Sequence, residues 1–398
     1  MTDAKEFFQE MMADSEVMRT KHGEMIAKFD FALLDRVRIF SDKESALRAG
    51  HQVISTVLNN LQKLKIDYSN MEPGHGAGHL RRDYINALIL FGRLEASPRD
   101  IFFGFICGSL HDLGTAIIDR YSESKRVIRH AEAGAMLVDL CLDDDVVNEA
   151  ERVLIYYVIA AHTHYLRTIE IKDEKGQTVN KIEPYTELYP NGQPFWPVWF
   201  ARWVDRLDCS GPCFVGRHYL TLAKKHDDFD GKNFYDVSFD KHMRPLLRDK
   251  PDDGNTMVEH LRMFANSQTN QSPYGKHDYG FMIEMRTIYR EMLLRVVNSF
   301  KKEFAEFFDA VREGISNDDW GNFLNEHVEF SQKTEETTEV LGKMFDSLPV
   351  KTRMFWSRAF DLCLEIYTEE YKPFVRKELV PYKDMLVLPI LGDVSKRI

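Results

Sequence analysis

SPRDIFFGFICGSLHDLG, residues 97–114, opens with a helix start and closes on two adjacent metal-binding side chains. Ser97 is placed to cap a helix, and Pro98 suits its first position because the missing N–H would find no partner there anyway. From Ile101 to Leu110 the segment is almost wholly apolar, which predicts a helix buried at the centre of its domain. It runs out at His111-Asp112, with Gly114 expected to terminate it.

Outward from this stretch the pattern is overwhelmingly helical. Residues 44–66 place Val53, Ile54, Val57, Leu58, Leu61 and Leu64 at three-to-four spacing, an amphipathic helix. SNMEPGHGAG, with Pro73, Gly74, Gly76 and Gly78, reads as a loop, and from His79 a helix carries Leu80, Tyr84, Leu88 and Phe91 on one stripe. Further helices are expected over about 130–142 and 146–162, the second running VLIYYVIAA into His162. Residues 167–183 alternate on both sides of Lys175-Gly176, which predicts a β-hairpin insertion. A Pro-rich aromatic stretch then leads into a helix containing Asp205; Trp196, Trp199 and Trp203 share helical spacing there and are read as core. The expected organisation is all-α: an N-terminal helical extension (1–43), a helical bundle with its hairpin insertion (44–215), and a helical C-terminal region (216–398). Long helices are expected in the last over about 281–313, 319–346 and 350–378. They can act as a cap over the first domain, as a partner-binding surface or as the interface of a homo-oligomer.

The bulk properties bound the function. The chain has 398 residues, 44% of them apolar and 29% charged, enough for two or three domains with a sizeable interior. With 63 acidic against 52 basic residues, its net charge of -11 disfavours unspecific binding of nucleic acid, which needs a basic face. A local pocket for a phosphorylated small molecule or nucleotide is compatible with that balance. Cys107, Cys141, Cys209, Cys213 and Cys363 are scattered and odd in number, so all five are read as reduced thiols of a cytoplasmic protein. The start, MTDAKEFFQEMMADSE, has no secretion-signal pattern, and no apolar stretch reaches the ~20 residues of a membrane span.

Six side chains carry the chemistry: His79, His111-Asp112, His130, His162 and Asp205. Neutral imidazoles bind first-row divalent ions well, and a carboxylate can bridge two of them. Adjacent residues on a helix point about 100° apart, yet His111 and Asp112 can converge where the helix loosens. The other ligands would come from further helices, placing the site between helices of a bundle. Beside them, Lys125, Arg126, Arg129 and Arg206 are candidates for holding phosphate. His75 and His164 are candidates for orienting ligands or for protonating a leaving group. Each also has a plainer reading: His75 as a solvated loop residue, His164 as a helix end, KRVIR at 125–129 as a charged helix entrance. Asp208 is expected to pair with Arg202 or Arg206. His218, His226, His242, His260, His277 and His327 have no ligand-like partners.

The order H…HD…H…H…D, with HDLG at 111–114, HAEAGAMLV from His130 and WVDRLD around Asp205, resembles the HD-domain metal-dependent phosphohydrolase superfamily over about residues 79–210. The resemblance implies that His79, His111, Asp112 and Asp205 are the common ligands and Asp112 the bridging carboxylate. His130 and His162 are the additional ligands of its two-metal branches. Those branches include HD-GYP cyclic-dinucleotide phosphodiesterases, HD nucleases, and mixed-valent di-iron oxygenases related to myo-inositol oxygenase. The chain departs from them at Thr115, where HD-GYP proteins have lysine, at the His162-Thr163-His164 spacing, and at His75, where three-metal relatives can carry glutamate.

What the resemblance implies is a hydrolase of a phosphodiester or nucleotide, with two divalent ions (Mn, Fe or Mg) about 3.5–4 Å apart and a metal-activated hydroxide attacking in line. Two alternatives use the same residues: a di-iron oxygenase, and a degenerate module that binds a nucleotide as a regulator.

Overall fold

A computed structural model of the chain describes residues 15–66, 75–118, 129–163, 169–172, 178–182, 185–208, 211–212, 280–303 and 365–396. The chain divides into two compact units: residues 1–205 with 279–282 and 378–398, and residues 206–278 with 283–377. It is mostly helical, as the sequence predicts.

The first unit is built around the apolar stretch. Helices α1 (Ser15–Ala27), α2 (Lys43–Lys63), α3 (Ala77–Arg93) and α4 (Pro98–Leu110) are followed by α5 (His130–Cys141), α6 (Glu149–Ala160) and α7 (Trp196–Asp208), the last belonging to this unit as far as Asp205. Helix α4 begins as expected, the Ser97 side chain accepting from the Asp100 N–H, and every residue from Asp100 to Leu110 is buried. An all-round apolar helix must be covered on every side: α4 packs against α2, α3 and α6. On another side Gly104 and Gly108 bring its backbone against Phe200 and Val204 of α7. Helix α2 starts at an Asp42–Ser45 capping box and buries the predicted stripe from Val53 to Leu61, while Leu64, also expected on it, is the half-buried C-cap. Helix α6 starts at a second such box, Asn148–Glu151. It ends at Ala160, so His162 stands just past the helix rather than on it. The hairpin is present as β1 (Ile169–Lys172) antiparallel to β2 (Thr178–Ile182), in register from Ile169↔Ile182 to an irregularity at Ile171/Lys172.

Two segments distant in sequence close this unit. Helix α1 and the 3-10 turn Phe31–Arg36 pack on α6. The Phe29 ring stacks on Tyr157 at 3.6 Å between centroids, and buried His22 meets the Tyr156 hydroxyl at 2.8 Å. The final residues, from Glu378 through a 3-10 turn (Val380–Met385) and the short strands Val387–Leu388 and Gly392–Asp393, bury Met385, Leu386, Leu388, Leu391 and Val394. Tyr84 of α3 donates to the Met385 carbonyl at 2.7 Å and contacts His51 at 2.8 Å; Arg93 pairs with Glu378 and Arg48 with Asp384.

In the second unit, the part of α8 (Gly280–Glu303) from residue 283 onward buries Met285, Tyr289, Met292 and Leu293. Tyr289 lies 5.3 Å from Tyr371 in a π-turn (Tyr367–Tyr371) that leads into α9 (Lys372–Glu378). The helix expected over 319–346 falls outside the described residues. Among the described residues, no helix is long and apolar enough to cross a membrane.

Candidate metal centre

Helix ends, rather than helix faces, build the site. His79 lies in the first turn of α3, His111 and Asp112 follow α4, His130 is the first residue of α5, His162 stands two residues past α6, and Asp205 is in the last turn of α7. These five segments meet because α4 is covered on several sides at once, which draws the neighbouring termini around its own C-terminal end.

Asp112 is the centre. Its Oδ2 lies 3.1 Å from His79 Nε2, 3.4 Å from His111 Nε2 and 3.7 Å from His75 Nε2. Its Oδ1 faces the other way, 3.6 Å from His130 Nε2 and 3.7 Å from His162 Nε2. Asp205 Oδ1 stands 3.8 Å from His111 Nε2 and 3.9 Å from His79 Nε2. Two groups of donor atoms share Asp112, His79–His111–Asp112–Asp205 and Asp112–His130–His162, each with its atoms within 4.8 Å of one another.

The residues present fit a divalent metal. His111 Nδ1 sits 2.8 Å from the Gly108 carbonyl and His162 Nδ1 2.8 Å from the Ile159 carbonyl. Since a carbonyl only accepts, each Nδ1 carries a proton and each neutral ring presents its Nε2 lone pair to Asp112. His111 Nε2 is fully buried and makes no hydrogen bond among the described residues. Buried imidazole lone pairs turned on a buried carboxylate want a cation between them. Without a metal, a proton takes that place. Burial opposes a charge on His111, but Asp112, then Asp205 and Asp83, outweigh it and hold its pKa well above the usual histidine range. Burial also pushes Asp112 upward, yet His111 and His75 keep it well below the usual carboxylate range. His162 is held neutral, well below the usual range, by burial and by neighbouring His111 and His130.

The H-x-x-x-G and HDLG motifs have a common physical cause. A Cβ on Gly114 would fall 1.8 Å from the His130 carbonyl oxygen and 2.5 Å from the Gly134 nitrogen; a Cβ on Gly134 would lie 3.1 Å from Gly114 N and from His111 O. The two backbones touch, and that contact brings His130 to Asp112. Gly114 therefore does not serve as the expected helix terminator: α4 ends at Leu110, and Gly114 lies inside a 3-10 turn (Leu113–Ala116) with no positive φ. Thr115 is buried in that turn, and its hydroxyl donates to the Asp112 carbonyl at 2.8 Å.

The remaining candidates are placed as follows. His75 is buried, in contrast to its solvated-loop alternative. Arg129 caps α5 and pairs with Glu132 at 2.8 Å. Arg206 follows Asp205 on α7. Lys125, Arg126 and His164 lie outside the described residues. Cys107 and Cys141 are free thiols, and Trp199 and Trp203 are buried. Arg202, one of the two partners expected for Asp208, reaches the end of α6 and Glu187. Sequence reasoning passed over Asp83, whose Oδ2 lies 2.9 Å from His79 Nε2. The available signal was the four-residue spacing from His79, which puts both on one helical face.

Compared with family models, with curated proteins and with solved structures, the chain gives no match.

Proposed function

We propose that the chain is an HD-type metal-dependent phosphohydrolase acting on a phosphodiester or a nucleotide through a dinuclear site. The observation that supports this is Asp112, whose two oxygens serve two different sets of histidines. Divalent ions bound there would supply Lewis acidity and bring the pKa of water to near neutral. His79, His111, Asp112 and Asp205 would hold the first ion, and Asp112, His130 and His162 the second. The chain's own residues do the rest. The Gly108 and Ile159 carbonyls fix the orientation of His111 and His162, Thr115 holds the Asp112 backbone, and the buried surroundings limit water. His75, whose Nε2 stands 3.7 Å from Asp112, would hold a proton for the leaving oxygen.

The experiment is a screen of phosphodiesters, nucleotides and phosphomonoesters with Mn(II), Fe(II) and Mg(II). Hydrolysis of one class, lost in His111→Ala and Asp112→Ala, is the expected result. A purified protein that takes up no metal, or variants that hydrolyse as well as the parent, would overturn the proposal.

One observation favours a second function, a di-iron oxygenase using the same ligands: the Arg129 guanidinium, a candidate for holding phosphate, is engaged by Glu132. Oxygen uptake with Fe(II) and none with Mn(II) would identify it.

A further inference from the structure

Arg202 is a buried cation beside the site that none of the chemistry above uses. It lies on α7 one turn before Asp205, and its side chain is 3% exposed. Its Nε donates to the His162 carbonyl at 3.0 Å and its Nη2 to the Ala161 carbonyl at 2.8 Å. Its Nη1 pairs with Glu187 at 2.5 Å, and its guanidinium sits 5.3 Å from the centroid of the Trp199 ring. Carbonyls at a helix C-terminus lack intrahelical donors and carry partial negative charge. Here one planar fork takes the two beyond α6. A guanidinium can span both in a fixed geometry, whereas an ammonium acts as a point charge.

The consequence for the metal centre is geometric. His162 is not on a helix; its ring is oriented by Ile159 and its backbone by Arg202. Asp205, a ligand of the other group, stands three residues from Arg202 on the same helix. Arg202 thus joins the element carrying a first-group ligand to the residue carrying a second-group ligand. The second group has only Asp112 as its carboxylate, and it shares that one. A small displacement of His162 would therefore weaken it more than the first group, which has Asp205 as well.

We propose that Arg202 is a positioning residue for the second metal subsite: by clamping the end of α6 to α7 it holds His162 at the distance from Asp112 that lets a second ion bind. This rests on the dinuclear reading.

The test is a Co(II) titration of ion-free protein, followed by absorption spectroscopy and calorimetry, on the parent, Arg202→Lys and Glu187→Gln. Unfolding curves check that each variant is folded. Glu187→Gln is the milder change, since that side chain is 39% exposed, and it removes only the outer anchor of the clamp. The parent should take up two ions. Both variants should keep the first and bind the second about 10–100-fold more weakly, the usual cost of losing an outer partner of a ligand, with Glu187→Gln at the lower end. Folded variants that bind the second ion as tightly as the parent, or lose both ions equally, would overturn the role of Arg202. A parent that takes up fewer than two ions would overturn the dinuclear reading, and the inference with it.

Discussion

Asp112 is the residue on which the two donor groups depend, and the asymmetry around it can be measured. Asp112→Asn keeps the shape and removes the charge, so binding of both ions should collapse. Asp205→Asn should weaken the first ion alone, because Asp205 belongs to only one group. Equal loss of both ions in the two variants, read by metal titration, would contradict the division. A second expectation concerns protons. In the ion-free protein, burial opposes charge on His111 but the carboxylates Asp112, Asp205 and Asp83 prevail, so the ring is held protonated above its ordinary range. A metal must displace that proton; uptake should release protons, and affinity should weaken as pH falls. Calorimetry in two buffers of different ionisation enthalpy checks this, since proton release makes the apparent heats differ; identical heats would contradict it. The candidate ligands were legible in the sequence, because metal chemistry restricts residue types, and the structure gathers them into groups that could hold a metal. Arg202 was not, because its partners are backbone carbonyls 40 and 41 positions away. Carbonyls leave no mark on residue identity.

Among the elements, α5 owes its place to the backbone contact between Gly114 and Gly134. Gly114→Ala puts a methyl where the His130 carbonyl stands. The strain should cost about 1–3 kcal/mol, lower the melting temperature and weaken the second ion, which needs His130. A variant with parental melting and two ions would contradict this. Helix α1 offers a different test. Burial lowers the His22 pKa, only partly offset by Glu132, and Arg129 lowers it further. The ring is therefore neutral when folded, while the unfolded chain takes up a proton near the ordinary value of about 6.5. Stability should be full above that value and fall as the pH drops through it, because the unfolded state binds more protons. From about pH 7.5 down to about pH 5.5 the stability of the ion-free parent should change less favourably than that of His22→Gln, the opposing slopes of His162 and His111 being common to both. Equal changes, measured by urea unfolding, would show that His22 does not carry the effect. The helices near the site were readable from apolar spacing and caps such as Ser97. Gly114 was misassigned because a glycine after a helix looks the same whether it supplies a left-handed turn or room for another backbone.

Over the whole first unit, residues from Glu378 onward return to helices that lie some three hundred positions earlier, through Tyr84, Arg93 and Arg48. Five buried apolar side chains, Met385, Leu386, Leu388, Leu391 and Val394, contribute on the order of 10 kcal/mol by their burial. That is comparable to the net stability of a typical domain. A chain ending at residue 377 should therefore show no cooperative unfolding of the unit that holds the candidate metal ligands. A transition at the parental temperature would contradict this. No periodicity announces such a return, since its determinants are pairings between distant segments. The most direct test of the central claim is an elemental count on purified parent and Asp112→Asn after reloading with Mn(II) or Fe(II). The account predicts two ions per chain in the parent and none retained in the variant. A parent without metal, or a variant that keeps both ions, would contradict it.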